Sequence, residues 1–177
     1  MYKALLGPEA AVYGDHVELS EMKRAGDEWL EHGRDFASTV GVGGVVGTKF
    51  TWPDLGERFS RVFLDPDKDA HWRKWIAVHN RMRLGSGTFR NLYVHGFDLP
   101  EAYAVEKDGK MHYAFFAADP STVWNGTVEL RGLAPGRYRV VDYVDGRELG
   151  FVDAARPHIA VAFTGHLLLE ASPSREP

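Results

Sequence analysis

YGDHVEL at residues 13–19, DFASTVGVGG at 35–44 and GTKFTWP at 47–53 are the three most informative stretches of this chain. The first stretch, led in by apolar residues 11–13, predicts a short apolar strand with ionisable groups at its carboxyl end: Asp15, His16 and Glu18. Enzymes built on parallel sheets place their chemistry at that end of a strand. The cluster is therefore a candidate functional site.

The glycines at 41, 43, 44 and 47 lie among β-branched residues. This pattern predicts a strand that turns sharply or a backbone that packs closely on another, because glycine tolerates positive φ and leaves room for close approach. A phosphate-binding loop is the alternative. It would require glycine, then lysine, then a hydroxyl residue, and Gly47-Thr48-Lys49 has the last two in the reverse order.

The composition excludes several classes of function. The 177 residues include no cysteine, so disulfides, zinc knuckles and thiol nucleophiles cannot form. A net charge of −4 gives no field that would gather phosphate backbones or anionic lipid, and neither nucleic acid nor a membrane is an expected partner.

Residues 1–11 lack the apolar run of a secretory signal, which predicts a cytoplasmic protein. The histidines show no metal-ligand spacing, and no metal or cofactor is expected.

Two segments differ in their predicted backbone. Residues 20–35 are mostly charged, which favours a solvated loop or irregular helix. An amphipathic helix is predicted from about 67 to 84, because Asp65-Pro66 is a strong helix start and Gly85 a natural terminator. Its apolar stripe recurs at three- and four-residue spacing through Trp72, Trp75, Ile76, His79 and Met82.

After residue 88 the apolar period changes from 3.6 to 2, which predicts antiparallel strands joined by tight turns. Asp108-Gly109 and Asp145-Gly146 are typical of hairpin turns. The last strand is predicted to hold residues 159–163 and then 167–169. Six to eight strands over some eighty residues indicate a small sandwich. We place the domain boundary between Gly85 and Thr88, giving domains of residues 1–87 and 88–177.

The order and spacing of these stretches resemble the end of a clan D α-galactosidase, most like glycoside hydrolase family 36. Residues 1 to about 66 resemble the final β/α units of the catalytic barrel, and the helix resembles the one that closes it. Within the sandwich the matching phrases are LYVHGFDLPE at 92–101, YAFF at 113–116, LRGL at 130–133, YRV at 138–140 and DY at 142–143. The resemblance implies an α+β chain: the last units of a (β/α)8 barrel, a closing amphipathic helix and an antiparallel β-sandwich.

The resemblance also implies hydrolysis of terminal α-galactosides with retention, by one aspartate as nucleophile and a second as acid and base. The family carries the first in a Lys-x-Asp motif and the second after a serine. This sequence contains neither Lys-x-Asp nor Ser-Asp. We therefore assign no catalytic residue, expect both acids to lie upstream of Met1, and predict that the chain alone is inactive and structural.

Asp15, His16 and Glu18 could in principle form a substitute acid and base. Strand alternation argues against this, because Asp15 and Glu18 would face opposite sides of a regular strand. A role in bracing or contacting the sugar, shared with Trp52, is the remaining expectation for these residues. An α-galactoside would then be the partner of a completed barrel.

A non-catalytic carbohydrate-binding or interaction sandwich is the alternative function, since tryptophans can stack on sugars. For Trp72 and Trp75 the helical stripe favours core packing, while Trp52 and Trp124, the latter predicted in a turn, stay open. Asn125-Gly126-Thr127 is a glycosylation sequon, but Asn-Gly favours a turn. Two barrel strands alone would leave an unpaired edge and an unburied face, which predicts self-association or limited order in residues 1–66 if the chain exists alone.

Overall fold

The computed structural model describes the backbone of residues 17–18, 20–23, 29–31, 35–49, 60–62 and 66–174, with side chains for 35–47 and 66–174. The leading elements are β1 (Val17–Glu18), β2 (Ser20–Lys23), β3 (Trp29–Glu31), α1 (Ala37–Gly41), β4 (Thr48–Lys49), β5 (Ser60–Val62), α2 (Pro66–Met82) and a 3₁₀ turn at Leu84–Ser86. The later strands are β6 (Thr88–Arg90), β7 (Glu101–Lys107), β8 (Lys110–Phe116), β9 (Val123–Glu129), β10 (Arg137–Asp142), β11 (Arg147–Asp153), β12 (His158–Thr164) and β13 (His166–Pro173).

The leading strands form two small sheets. β1 pairs in parallel with β4, so Val17–Glu18 of the first stretch lies beside Thr48–Lys49 of the third; β2, β3 and α1 come between them in the chain. β2 pairs antiparallel with both β3 and β5. The prediction of a loop or irregular helix over 20–35 is therefore wrong for 20–23 and 29–31. A run of charged residues indicates contact with water, and it does not distinguish a loop from a strand.

Helix α2 begins at Pro66, as predicted, with Asp67 and Asp69 in the first turn where the helix dipole favours acids. Its buried stripe comprises Lys68, Trp72, Trp75, Val78 and Met82. The predicted terminator Gly85 is wrong. The helix ends at Met82 because Arg83 adopts a left-handed conformation, with φ of 47°, and Gly85 lies in the 3₁₀ turn that follows.

The larger sheet has six antiparallel strands in the order β11-β10-β13-β8-β7-β6. Strand β8 is central, and residues 111–115 along it are all buried. Met111, Tyr113 and Phe115 face one core, while Ala114 belongs to another on the opposite face. Both faces of this sheet are therefore covered, which explains the near-continuous apolar sequence of its central strands.

The inner face packs on a two-stranded sheet of β9 and β12, completing the sandwich. The Asp108-Gly109 and Asp145-Gly146 turns are confirmed, joining β7 to β8 and β10 to β11. The predicted last strand is instead two strands in different sheets, separated at Gly165 with φ of 72°. The predicted turn at Asn125-Gly126 is also wrong, because both residues pair with β12 in the regular ladder.

The outer face of the six-stranded sheet packs on α1, α2 and the 3₁₀ turn. Phe36 stands edge-on to Trp72, with ring centroids 5.4 Å apart, and packs with Trp75 at 6.3 Å. The predicted close approach at the glycines is confirmed at two positions. A Cβ on Gly41 would lie 2.7 Å from the Cβ of Ala114, and one on Gly43 would lie 2.9 Å from the Leu84 carbonyl oxygen.

Candidate functional site

The residues predicted to approach the sugar lie where side chains are not described. Asp15, His16 and Trp52 are outside the described residues. The backbone of Glu18 is described, opposite Lys49 in the parallel β1–β4 pair, but its side chain is not. Their expected role as sugar-bracing groups stays a prediction.

Three of the tryptophans weighed as sugar platforms have described side chains. Trp72 and Trp75 are buried beneath α2, which confirms core packing. Trp124 lies in strand β9 rather than in a turn. Its ring packs on Phe163 with centroids 5.2 Å apart and covers Gly126, where an added Cβ would meet the indole at 2.8 Å. Trp124 therefore packs against the inner core of the sandwich.

A groove of about 420 Å³ runs along the β6 edge of the six-stranded sheet, and we call it the edge groove. Its aromatic lining comes from β6, β7 and the loop between them. Tyr93 and Tyr103 are half-buried, while Phe89 is buried and lies 6.4 Å from Tyr103 between ring centroids. The lining residues are Phe89, Arg90, Asn91, Leu92, Tyr93, Val94, His95, Ala102 and Tyr103.

The loop that forms one wall of the edge groove, residues 91–100, is held by Arg131. The guanidinium donates from Nη1 to Oδ2 of Asp98 at 3.1 Å and to the Leu92 carbonyl at 3.1 Å, and its Nη2 forms an ion pair with Oδ1 of Asp98 at 2.9 Å. It also lies over the Tyr93 ring, 5.0 Å from the centroid. Hydrogen bonds from the Val94 amide and then from Arg131 hold the pKa of the Asp98 carboxyl below its usual range. The loop is thus fixed at its base.

The same loop is tied to the sandwich through Tyr93. Its hydroxyl donates to the Glu129 carbonyl at 2.7 Å and accepts from the Arg131 amide at 3.2 Å. Burial raises the pKa of this phenol, so it stays protonated at neutral pH. Buried tyrosine hydroxyls generally need a hydrogen-bond partner, and here the two bonds of the Tyr93 hydroxyl also fix one aromatic wall of the edge groove.

At the other wall, Glu101 joins two groove side chains. Its carboxylate accepts a hydrogen bond from the Tyr103 hydroxyl and lies 3.1 Å from Nδ1 of His95. Burial, followed by the neighbouring Glu101, raises the pKa of Tyr103. Arg90 is neutralised by Glu106 at 2.9 Å. The edge groove thus presents aromatic rings and paired polar groups, and its one arginine is already in an ion pair.

A second concavity, of about 620 Å³, lies where the end of α2 meets β8, β10 and β13. Its cations are already engaged by Asp108, Glu170, Glu148 and the Tyr143 carbonyl. Two polar atoms beside it, Nδ1 of His112 and the Tyr143 hydroxyl, have no hydrogen-bond partner within the described residues. Both atoms are buried.

Two further properties concern the described part of the chain. Over residues 35–47 and 66–174, no three histidine, aspartate or glutamate side chains converge on a possible metal position. No helix within the described ranges is both long and apolar enough to cross a bilayer.

Comparison with known proteins supports the resemblance seen in the sequence. The chain is 33% identical over 150 residues, 82% of its length, to an A type blood α-D-galactosamine galactosaminidase of Flavonifractor plautii, and it spans about 11% of that protein. No family model matches the chain.

Solved structures show the same fold at low sequence identity. A family 27 β-L-arabinopyranosidase from Geobacillus stearothermophilus matches with a TM-score of 0.62 over 93% of this chain and 38% of its own, at 12% identity. A proposed α-N-acetylgalactosaminidase from Bacillus halodurans matches with a TM-score of 0.56 over 86% and 34%, at 13% identity.

These comparisons confirm the resemblance to clan D glycosidases, while the assignment to family 36 within that clan stays a prediction. They also confirm the fold class as α+β, with units of a glycosidase barrel followed by an antiparallel β-sandwich. The placement of the domain boundary after residue 87 stays a prediction.

Proposed function

We propose that this chain is the carboxyl-terminal part of a retaining glycosidase for α-linked galactose or galactosamine, where it supports the catalytic barrel and supplies no reacting acid. Retaining hydrolysis requires two carboxyl groups roughly 5 Å apart on either side of the scissile bond. The sequence has neither Lys-x-Asp nor Ser-Asp, the motifs in which the resembling family carries those groups.

The observation that carries this proposal is the single core shared by α1, α2 and the outer face of the sandwich. Phe36, Trp72 and Trp75 pack together, and Trp75 also contacts His166 on β13 at 5.4 Å between centroids. A helix that closes a barrel would be fixed in place by such a core. The sandwich would then act as a rigid support on which the barrel end is built.

The identity to the Flavonifractor plautii galactosaminidase allows a direct test. The matching segment of that enzyme is replaced by this chain, and turnover of nitrophenyl α-galactosaminide and α-galactoside is measured. We expect the hybrid to keep activity, the isolated chain to have none, and Trp75→Ala in the hybrid to lower activity through loss of folded enzyme. Phe97→Ala is the matched control, because Phe97 is 85% exposed and lies outside both cores.

Two results would contradict the proposal. Release of galactose or galactosamine by the purified isolated chain would show that reacting groups are present. A folded but inactive hybrid would show that the segment does more than support the barrel.

Self-association of the isolated chain is part of the same proposal. The β1–β4 pair is two parallel strands wide in the described part of the chain, and a barrel sheet needs partners on both edges. We expect light scattering to give a mass above that of one 177-residue chain, rising with concentration. A monomeric mass across the concentration range would contradict it.

A further inference from the structure

We propose that the edge groove binds a neutral saccharide, independently of any catalytic centre. This goes beyond the proposed supporting role, because it assigns a ligand to the sandwich itself. The residues that would contact the sugar are Tyr103, Tyr93 and Val94 through apolar surface, and Asn91, His95 and Arg90 through hydrogen bonds.

The first argument is the size and lining of the groove. At about 420 Å³ it falls within the range of small-molecule sites, which combine an apolar lining with a few placed polar groups. A pyranose ring has an apolar C–H face and hydroxyls around its edge. Half-buried tyrosines can receive the face, and the polar side chains at the rim can receive the hydroxyls.

The second argument is charge. Arg90 is paired with Glu106 and His95 lies beside Glu101, so the groove lining leaves no unpaired cation to attract a phosphate or an acidic ligand. The side chain of Asn91 is exposed and offers a planar hydrogen-bond donor and acceptor. Neutral hydroxyl groups match this combination, because each can both donate and accept.

The third argument is preorganisation. The groove wall is fixed before any ligand arrives, since Arg131 holds Asp98 and Leu92, and Tyr93 is bonded to the Glu129 carbonyl. A rigid site loses little conformational entropy on binding. Weak contacts to a sugar can then give measurable affinity.

An extended peptide is the competing occupant, because β6 is the edge strand of the six-stranded sheet and edge strands can accept another strand. The sugar is favoured because β6 is three residues long, which gives a short hydrogen-bonding edge. The test below separates these two ligands.

The experiment is NMR titration of the full chain with methyl α-galactoside, N-acetylgalactosamine, maltose and an unrelated extended heptapeptide. We expect saturable shifts at the edge groove with at least one sugar and none with the peptide. His95→Ala and Asn91→Ala should each weaken binding about tenfold, the effect of losing one good hydrogen bond. Both side chains are exposed, so these variants keep the fold.

Phe151→Ala is the matched control, because Phe151 is a 41% exposed aromatic on β11, at the opposite edge of the same sheet. We expect its sugar affinity to equal that of the parent chain. Absence of saturable binding by all three sugars, unchanged affinity in both groove variants, or saturable binding of the peptide alone would overturn the proposal. None of these outcomes bears on whether the chain supports a barrel.

Discussion

The two faces of the six-stranded sheet are buried in different ways. On the inner face, the buried tyrosine hydroxyls form hydrogen bonds inside the sandwich. The Tyr113 hydroxyl donates to the Arg131 carbonyl at 2.8 Å, and the Tyr138 hydroxyl donates to the Ala134 carbonyl at 3.1 Å. On the outer face, the buried Tyr143 hydroxyl has no partner within the described residues. The inner core satisfies its own polar groups, whereas the outer core depends on the packing of the helices above it.

The outer face should therefore lose the most stability when its aromatic contacts are removed. Trp75 is 4% exposed and packs with both Phe36 and His166. We expect Trp75→Ala to lower the free energy of unfolding by about 3–5 kcal/mol, as large-to-small core changes do. Urea denaturation followed by circular dichroism would measure it.

The control for this prediction is Phe97→Ala at an 85% exposed position, where we expect a change within about 0.5 kcal/mol. A loss below about 1 kcal/mol for Trp75→Ala would mean that the helix layer is not a required part of the fold.

Close packing of α1 on the sheet gives the next largest effect. Gly41 lies in α1, where alanine is intrinsically favoured over glycine by about 1 kcal/mol. A Cβ there would approach the Cβ of Ala114 to 2.7 Å. We expect Gly41→Ala to destabilise by about 1–3 kcal/mol despite its better helix propensity, because the contact overpacks the interface.

Ala114→Gly should rescue this variant, because it removes the opposing methyl group. The double variant is therefore expected to be more stable than the sum of the two single effects, in a double-mutant cycle measured by thermal denaturation. If the stability changes of the two single variants simply add in the double variant, the proposed close contact between α1 and β8 at Gly41 and Ala114 would be contradicted.

The sequence predicts those parts of the fold that depend on local chemistry. Pro66 and the tryptophan stripe predict the start and buried side of α2, and Asp108-Gly109 predicts its hairpin. The end of α2 was missed because Arg83, a residue with no special preference for positive φ, takes the left-handed position. Local signals decide these elements unless a tertiary contact outweighs them.

Two sandwich errors have a common physical origin. Asn125-Gly126 favours a turn locally, yet the ladder with β12 keeps it extended. Residues 167–169 are predicted to continue the strand of residues 159–163, yet they lie in the six-stranded sheet, where both faces are buried and consecutive leucines are accommodated. Which sheet a strand joins is decided by long-range packing, which period-2 patterns do not report.

The edge groove could not be found from a motif. Its walls come from β6, the 91–100 loop and β7, and the loop is held by Arg131 about thirty residues further along the chain. The phrase LYVHGFDLPE marked this loop through resemblance alone. A paired aspartate and arginine so far apart leave no local spacing signal in one sequence.

Matched tyrosine variants sharpen the comparison of the two faces. Tyr113→Phe leaves the Arg131 carbonyl without its hydrogen-bond donor in the inner core. We expect it to lower the free energy of unfolding by about 1–2 kcal/mol. Tyr143→Phe removes an unpaired buried hydroxyl from the outer face, and we expect no loss or a gain of up to about 1 kcal/mol. Chemical denaturation of both variants checks the pair. Equal losses would show that the two faces do not differ in this respect.

The smallest predicted effect concerns acid. Glu170 on β13 accepts hydrogen bonds from Lys110 at 2.8 Å and Ser172 at 2.7 Å, and lies 3.3 Å from Nε2 of His112. The bond to His112, followed by those from Lys110 and Ser172, holds the pKa of this carboxyl well below its usual range. A depressed folded-state pKa stabilises the fold above the ordinary value of about 4.5, and this contribution is lost as pH falls below it.

We therefore expect the free energy of unfolding of the parent chain to fall by about 1 kcal/mol more than that of Glu170→Gln between pH 6 and pH 3, because the other acids titrate equally in both proteins. Glu106→Gln is the matched control, because the Arg90–Glu106 pair is exposed and should contribute little. Identical pH profiles for the parent and Glu170→Gln would mean that the Glu170 carboxylate is solvated by water rather than stabilised by its hydrogen bonds within the protein. The dependence of the outer face on its neighbours would then rest on apolar packing alone.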